Sequence, residues 1–313
     1  MSNINERKTS TDGLRVLSLC GGVETGLYAL QKLGIPVKEY HTYEILPEAI
    51  AVSQYHFPFV VHHGDLYKAD FDQFKGFDLL LCGSCCQSLS KCRIESKEVN
   101  TGLDGKSKIF FRAVEALMVI QPKYFMFENV IPSREEDLNT MTECIGVDPL
   151  LIDSAIFSAQ SRERYYWTNI PLGELPEESP LVLKDVMENN VSEKYFYKKD
   201  FEIIDMNKRV CAELKVNTME MLRRIYNPEF KCCTLTCVSG GYQEKSVMDH
   251  GRPRKLTEIE YERLQGLPDN FTKVKVNSRY LPYSKRCSLM GNGWTEPVIE
   301  WILKGIGEYG NNS

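Results

Sequence analysis

The stretch that decides the fold is Leu14-Arg-Val-Leu-Ser-Leu-Cys20, which runs into Gly21-Gly-Val-Glu-Thr-Gly26 and then into residues 27–33. The apolar residues of the first part predict a short buried strand, the glycines predict a tight turn, and the apolar spacing of the last part predicts a helix. A strand, a glycine turn and a helix in this order form the repeating unit of parallel sheets. The segment therefore predicts an α/β domain with a ligand at its first turn.

The same alternation recurs through the first half of the chain. Strand-like segments lie at residues 39–44, 60–61, 77–82 and 123–127, and a helical stretch at 109–120 precedes the last of them. Short apolar strands that alternate with helices predict an α/β fold with a doubly wound, mostly parallel sheet. Such a sheet holds its ligands at the carboxyl ends of its strands.

The character of the chain changes after Asn169. Residues 171–180 carry three prolines and three acidic residues and resemble a linker. We expect a sheet domain over residues 12–172, a small lobe over residues 173–252, and a segment over residues 253–313 that returns to the sheet domain.

The composition predicts a folded chain without a membrane segment. The 313 residues are 42% hydrophobic, yet no apolar stretch approaches the roughly 20 residues of a membrane helix. The start, Met-Ser-Asn-Ile-Asn-Glu-Arg-Lys, lacks the apolar segment of a signal peptide. We expect a cytoplasmic, nucleoid-associated protein, in the host cytoplasm if a phage encodes it.

The 11 cysteines are an odd number and lack the paired spacing of a zinc module or a disulfide framework. We expect reduced thiols and no metal site.

Charge is unevenly distributed along the chain. Residues 184–286 hold 20 Lys and Arg against 15 Asp and Glu, whereas the remainder holds 18 against 28, within a net charge of −5. This asymmetry indicates a segment that faces a polyanion, attached to an acidic body. On charge alone, a solvated charged face is an equally good interpretation.

Two acids follow predicted strands of the sheet. Glu44 ends the second strand, where a carboxylate can accept from ribose hydroxyls, and Asp65 follows Gly64 at the next strand end. No lysine of the kind that grips phosphates in a P-loop follows the glycine turn. Each acid taken alone could equally be a helix cap. Together they indicate a nucleoside cofactor.

A sharper signal is Gly83-Ser-Cys-Cys-Gln87, directly after a buried strand. A thiol on a loop at the carboxyl end of a strand is well placed for a nucleophile, although an isolated cysteine is more often a buried free thiol. Glu128 leaves another apolar strand in the same way. A cysteine and a glutamate on neighbouring strand ends suit attack on an electron-poor ring, in which the acid binds a ring nitrogen.

Gln160, Arg162 and Arg164 alternate along Gln160-Ser-Arg-Glu-Arg-Tyr-Tyr-Trp167. An extended segment would place these three planar donors on one face, where they suit phosphate or a base carbonyl. As isolated residues, such side chains more often form surface ion pairs.

With these motifs in hand, the chain resembles the cytosine C5 DNA methyltransferases over nearly its whole length. The resemblance rests on motifs that stand in family order: Ser18–Gly26, Glu44, Asp65, Gly83–Gln87, Glu128–Val130, Gln160–Arg164, Arg254–Pro268 and Gly291–Trp294. The first motif and the run Gly102–Gly105 are most similar to the animal de novo enzymes, whereas residues 183–195 are more similar to bacterial and phage members.

The resemblance implies a Rossmann-like fold that uses S-adenosyl-L-methionine, with a small target-recognition lobe and double-stranded DNA as substrate. It implies catalytic roles for Cys86, Glu128, Arg162 and Arg164. It implies cofactor binding by Leu19, Cys20, Gly22, Val23, Thr25, Glu44, Ile45, Asp65, Leu66, Asn292 and Trp294. It implies substrate binding by Ser84, Gln87, Ser88, Asn129, Gln160, Gly240 and Gly241.

Three positions depart from the family pattern. Cys85 stands where a proline usually precedes the nucleophile, which makes the loop less rigid. Cys20 replaces a common phenylalanine near the cofactor, and Glu24 occupies a position that is normally aliphatic. The region between the Arg164 and Arg254 motifs is short and resembles no recognition domain that we can name.

The resemblance implies that the target cytosine leaves the helix stack, that Cys86 adds to C6, and that C5 then takes the methyl group. Three alternatives stay open: the same chemistry on tRNA, a catalytically weak DNA-binding homologue, and a methyltransferase for small molecules. The residues also leave open a restriction endonuclease partner, the DNA target sequence and the oligomeric state.

Overall fold

The structure is a computed structural model that describes residues 12–83 and 109–310. Contacts divide the chain into two compact units. Unit 1 comprises Met1–Asp153, Glu163–Glu174 and Ile299–Ser313, and unit 2 comprises Ser154–Arg162 and Leu175–Val298.

Unit 1 contains a seven-stranded sheet in the order β3-β2-β1-β4-β5-β7-β6. Its strands are β1 Leu14–Leu19, β2 Val37–Tyr43, β3 Val61–His62, β4 Leu79–Gly83, β5 Tyr124–Asn129, β6 Leu150–Asp153 and β7 Glu163–Thr168. Neighbouring strands are parallel except around β7, which runs antiparallel to β5 and β6. The predicted doubly wound, mostly parallel sheet is confirmed.

The described helices are α1 Thr25–Lys32, α2 Pro47–His56, α3 Ile109–Ile120, α4 Glu135–Ile145, α5 Glu220–Arg223, α6 Glu258–Leu264, α7 Tyr283–Asn292 and α8 Glu296–Gly310. The first four described helices alternate with the strands of this sheet along the chain, whereas α5 to α7 belong to unit 2. The core of unit 1 lies where α3 packs on the sheet, with Phe110 against Leu80 and Phe125 among its buried residues. All six residues of β5 are buried, which explains why its sequence is a nearly unbroken apolar run.

Unit 2 contains a five-stranded sheet in the order β12-β11-β10-β9-β8 and a separate two-stranded ribbon. The strands are β8 Phe201–Ile203, β9 Val210–Leu214, β10 Arg224–Tyr226, β11 Ser246–Asp249 and β12 Arg252–Lys255, with β13 Lys275–Val276 and β14 Arg279–Tyr280 in the ribbon. A small core forms around Cys211, Leu214, Ile225 and Met248. This lobe therefore has an apolar centre of its own.

A buried ion pair joins β12 of unit 2 to α6. The guanidinium of Arg254 is fully buried and bonds both carboxylate oxygens of Glu260, at 2.7 and 2.8 Å, and one oxygen of Asp249. Glu260 also accepts from the backbone N–H of Thr257, whose side chain caps α6 in return. The capping box that Thr257 and Glu260 form is thus part of a larger charged network.

The division by contacts differs from the domain bounds expected from the sequence. Residues 154–162 group with unit 2 because Lys231 Nζ donates to the carbonyls of Ala155, Ser158 and Ser179. Residues 253–298 also belong to unit 2, since β12 pairs with β11, and the chain rejoins unit 1 only from Ile299.

The eight cysteines within the described ranges are free thiols. Within those ranges no three His, Cys, Asp or Glu side chains form a group that could hold a metal ion. None of the helices in the described part is both long and apolar enough to cross a membrane.

Candidate active site

The glycine turn after β1 is held by a carboxylate from the next strand. Glu44 follows β2, and its Oε2 accepts from the N–H of Gly22 at 2.9 Å. Its Oε1 accepts from the N–H groups of Ile45 and Leu46 at 2.7 and 2.8 Å. The carboxylate is 8% exposed. Three amides fix its orientation and occupy three of its roughly four lone-pair sites, so the site left on Oε2 can accept from one hydroxyl.

An exposed aliphatic residue and a second acid follow this carboxylate along the chain. Ile45 is 64% exposed although it is aliphatic, and it stands directly beside Glu44. Asp65 caps the short turn after β3, where its Oδ1 accepts from the N–H of Tyr67 at 3.0 Å. Leu66, next in the chain, is buried. A fixed carboxylate, an exposed aliphatic face and a second acid fit the ribose and base of an adenosyl group.

The other predicted cofactor residues divide into two groups. In unit 1, Leu19, Val23 and Thr25 are buried and shape the turn from within, while Cys20 is half-buried. In unit 2, Trp294 is buried and Asn292 is exposed and accepts from the thiol of Cys237 at 2.8 Å.

The register of β4 and β5 places the start of the nucleophile loop beside a carboxylate. Gly83, the last residue of β4, pairs with Glu128 near the end of β5. Residues 84–88, which include Cys86 and the predicted substrate residues Ser84, Gln87 and Ser88, lie outside the described residues, as does the run 102–105. Gly83, the last described residue before Cys86, therefore lies next to Glu128.

Glu128 forms an ion pair with an arginine from the antiparallel strand. Arg164 Nε lies 3.0 Å from Glu128 Oε1, and the two side chains are 13% and 11% exposed. This close contact arises because β7 runs antiparallel to β5, so that the end of β5 meets the start of β7. An acid and a planar cation are thus held together at one strand end, where they can bind a ring nitrogen and an adjacent carbonyl.

Asn129 follows Glu128 in the chain, but its side chain is buried. Its side chain is 1% exposed, and its Oδ1 accepts from the N–H of Val130 at 2.8 Å. The residue therefore stabilises the end of β5, and direct contact with a substrate would require it to rotate.

The expected row of three exposed donors at Gln160, Arg162 and Arg164 is not formed. Gln160 is fully buried and bonds Gln265 Oε1, the carbonyl of Leu264 and the N–H of Leu235. The sequence prediction was wrong on this point because alternation fixes direction and not exposure. The hydrogen bonds of the Gln160 side chain are therefore made within unit 2. They hold this part of the chain in place.

Arg162 is 5% exposed and clamps two loops of unit 2. Its guanidinium donates to the carbonyls of Leu235, Gly291 and Gly293 at 3.0 to 3.2 Å. Gly291 is required here, because a Cβ at that position would lie 2.4 Å from the backbone of Thr236. Arg162 therefore stabilises the segment around Gly291.

Gly240 and Gly241 form an exposed turn in unit 2. Both have positive φ, 117° and 64°, and Tyr242 continues the left-handed conformation with φ 66°. Such a turn presents backbone groups without side chains, which suits close approach to a ligand.

A cavity of about 630 Å³ lies at the amino-terminal edge of the unit 1 sheet, lined by Gly13, Pro36 and Asp78 among others. Its lining contains none of the predicted site residues, which follow the carboxyl ends of the strands.

Comparison with known proteins agrees with this geometry. Residues 14–308 match the family described as C-5 cytosine-specific DNA methylase. The chain belongs to this family. This family member is 30% identical over 217 residues to the orphan methyltransferase M.SPRI of Bacillus phage SPR, which covers 66% of this chain and 45% of that protein. It is 27% identical over 280 residues to the type II methyltransferase M1.ScrFI of Lactococcus lactis subsp. cremoris, covering 80% and 68%.

The chain therefore spans less than half of the length of the phage relative. Among solved structures, it is similar to the S. pombe Dnmt2 methyltransferase, with a TM-score of 0.68 and 19% identity over 95% of this chain and 99% of the other. At this identity the similarity concerns the fold.

Sequence reasoning did not predict the burial of Glu24 in this family member. The residue was noted as a departure from an aliphatic position, and the structure buries its carboxyl completely beneath the glycine turn. The sequence did contain a signal for this, because a charged residue stands at the start of a helix whose other residues near that end are uncharged.

Proposed function

We propose that the chain transfers a methyl group from S-adenosyl-L-methionine to C5 of cytosine in double-stranded DNA. The proposal is supported by membership of the family over residues 14–308. The single observation that carries it is the Glu128–Arg164 pair beside the end of β4, which precedes Cys86 in the chain.

In the proposed reaction the cytosine leaves the helix stack at a cost of about a few kcal/mol, because its ring face is otherwise inaccessible. The thiolate of Cys86 adds to C6, and the electron pair displaced from the C5–C6 bond makes C5 nucleophilic. Glu128, as a carboxylic acid, donates its proton in a hydrogen bond to N3, where negative charge would otherwise collect, and Arg164 binds the adjacent carbonyl oxygen. After C5 takes the methyl group, loss of the C5 proton restores the double bond and expels the thiolate.

The cofactor supplies a methyl group activated by a positively charged sulfur. The residues that would hold it are Glu44 for a ribose hydroxyl, Gly22 at the turn, and Ile45 and Asp65 for the base. We assign no direct contact with the reacting base to Arg162, because its donors already bind three carbonyls of unit 2.

Unit 2 would supply contacts to the DNA. Residues 184–286 carry an excess of basic residues, and the turn at Gly240 and Gly241 is exposed. Contacts to phosphates make affinity fall as salt rises, so binding of a DNA duplex should weaken between low and moderate salt.

The test is bisulfite sequencing of DNA from cells that express the chain or its Cys86→Ser variant. We expect protected cytosines with the wild-type chain and none with the variant. Protection in both samples, or in neither, would contradict the proposal. Incubation of the purified protein with tritiated cofactor and either duplex DNA or tRNA separates the two substrate classes.

A trapping experiment tests the nucleophile itself. A duplex with 5-fluorocytosine at a target site should form a covalent adduct, because fluorine at C5 cannot leave as a proton does. Cys86→Ala should abolish the adduct and Cys85→Ala should retain it. Glu128→Gln should lower the methylation rate about 10²- to 10⁴-fold, the range typical of a positioned acid.

A further inference from the structure

Glu24 places a carboxyl group in the interior directly beneath the glycine turn. The residue begins α1 in a left-handed conformation, φ 61° and ψ 46°, and is 0% exposed. A Cβ on Gly21 would lie 2.3 and 2.5 Å from its two carboxyl oxygens. The carboxyl therefore occupies the space that opens only because position 21 is glycine.

The carboxyl lies in a small polar cluster between β1 and β2. Tyr40 Oη donates to Glu24 Oε2 at 2.8 Å, and Tyr40 is itself buried. The hydroxyls of Ser18 and Thr42 also face the carboxyl. Neither of these two hydroxyls nor Glu24 Oε1 forms a hydrogen bond of good geometry within the described structure. Buried polar atoms are rarely left in this state, so this cluster calls for an explanation.

Two titratable groups face Glu24: Tyr40, which lies in β2, and Glu44, which follows β2. From β1, the hydroxyl of Ser18 also faces it. Burial raises the pKa of Glu24 to about 7, and the nearby Glu44 adds to this effect. Burial holds the pKa of Tyr40 well above its ordinary value, so that the phenol stays a neutral donor. Near neutral pH the charge beneath the turn therefore changes by one unit.

We propose that Glu24 determines specificity at the cofactor turn: when ionised, it favours a cofactor with a positively charged sulfur over the neutral thioether left after methyl transfer. The inference rests on the proposed use of S-adenosyl-L-methionine. The two ligands share the adenosine, the amino group and the carboxylate, and they differ by one methyl group and one positive charge.

The physical basis is linkage between a bound charge and a proton. A positive sulfur near the carboxyl stabilises its ionised form, so cofactor binding and proton release favour each other. As pH rises through neutrality the ionised fraction grows and affinity for the charged cofactor increases. Affinity for the neutral thioether does not increase in this way when Glu24 ionises. The ratio of the two affinities isolates the effect, because contributions from the shared amino group cancel.

The experiment is isothermal titration of the full chain with S-adenosyl-L-methionine and S-adenosyl-L-homocysteine between pH 6 and 8.5. If the sulfonium lowers the pKa of Glu24 by about one unit, the limiting gain in affinity is about tenfold. About fivefold of that gain falls within this pH range. Glu24→Gln should remove the pH dependence of the ratio, and the surface control Asp72→Asn should retain it.

Tyr40→Phe provides a second variant. Loss of the hydrogen bond from Tyr40 raises the pKa of Glu24 further, so the midpoint of the pH dependence should move upward. Infrared absorption of the protonated carboxyl follows the same titration in the wild-type chain, and this band should fade near neutral pH.

A ratio that does not change with pH, or that changes equally in Glu24→Gln, would overturn the inference while the proposed function stands. Failure of the wild-type chain to bind either ligand at every pH would overturn both. A carboxyl band that persists unchanged to pH 8.5 would also reject the proton site, even if Glu24→Gln failed to fold.

Discussion

Arg254→Met is expected to lower the free energy of unfolding of unit 2 far more than a neighbouring arginine substitution. The side chain of Arg254 is fully buried and bonds Glu260, also fully buried, through two nitrogens. Methionine has a similar length but leaves the carboxylate of Glu260 without its cation. Removing one partner of a buried pair costs about 3–5 kcal/mol.

The matched control is Arg252→Met, two residues earlier on the same strand. Arg252 pairs with Glu193, but these side chains are 55% and 75% exposed. Water and salt screen exposed pairs, so that they contribute little to stability. The control therefore removes an arginine and its hydrogen bonds from β12 without burying a lone charge.

Urea denaturation measures the difference. With a slope of about 2 kcal/mol per molar, Arg254→Met should lower the midpoint of unit 2 by about 1.5–2.5 M, and Arg252→Met by about 0.5 M or less. Adding Glu260→Gln to Arg254→Met should recover about 1 kcal/mol or more, because the buried charge is then removed. Equal midpoints for the two single variants would refute the explanation.

Three further outcomes are expected. Arg162→Ala removes a charged donor from three carbonyls and should cost about 2–4 kcal/mol in urea unfolding, whereas Arg162→Lys should lose less. Gly291→Ala should lower the melting temperature, because the new methyl group would meet the backbone of Thr236; an unchanged value would contradict that contact. For Glu24 the folded-state pKa is raised to about 7, so its contribution to stability is lost as pH rises from about 4.5 to 7. The difference in unfolding free energy between Glu24→Gln and the wild-type chain should therefore shift in favour of the variant by about 3 kcal/mol from pH 4 to pH 8.

The sheet could be predicted because its signals are local. The apolar run before Cys82, the glycine turn and the helix over residues 109–120 each depend on neighbouring residues, and the structure contains all of them. Glu44 could also be predicted, since a parallel sheet brings strand ends to one edge.

The surroundings of the predicted arginines and glutamine could not be predicted in the same way. Gln160 and Arg162 are satisfied by residues more than 70 positions away, and no local pattern contains such contacts. Glu24 depends on the space above Gly21 and on Tyr40 from the next strand. Sequence spacing gives the direction of a side chain, whereas its burial follows from tertiary packing.

The antiparallel pairing of β5 with β7 has a consequence for protein engineering. Phe127 lies opposite Trp167 and Glu128 opposite Tyr166, whatever the length of the intervening chain. The contact between Glu128 and Arg164 therefore depends on this register. A slip of one position in β7 would turn Arg164 to the other face of the sheet, so transplants into this scaffold should be spliced outside the two strands.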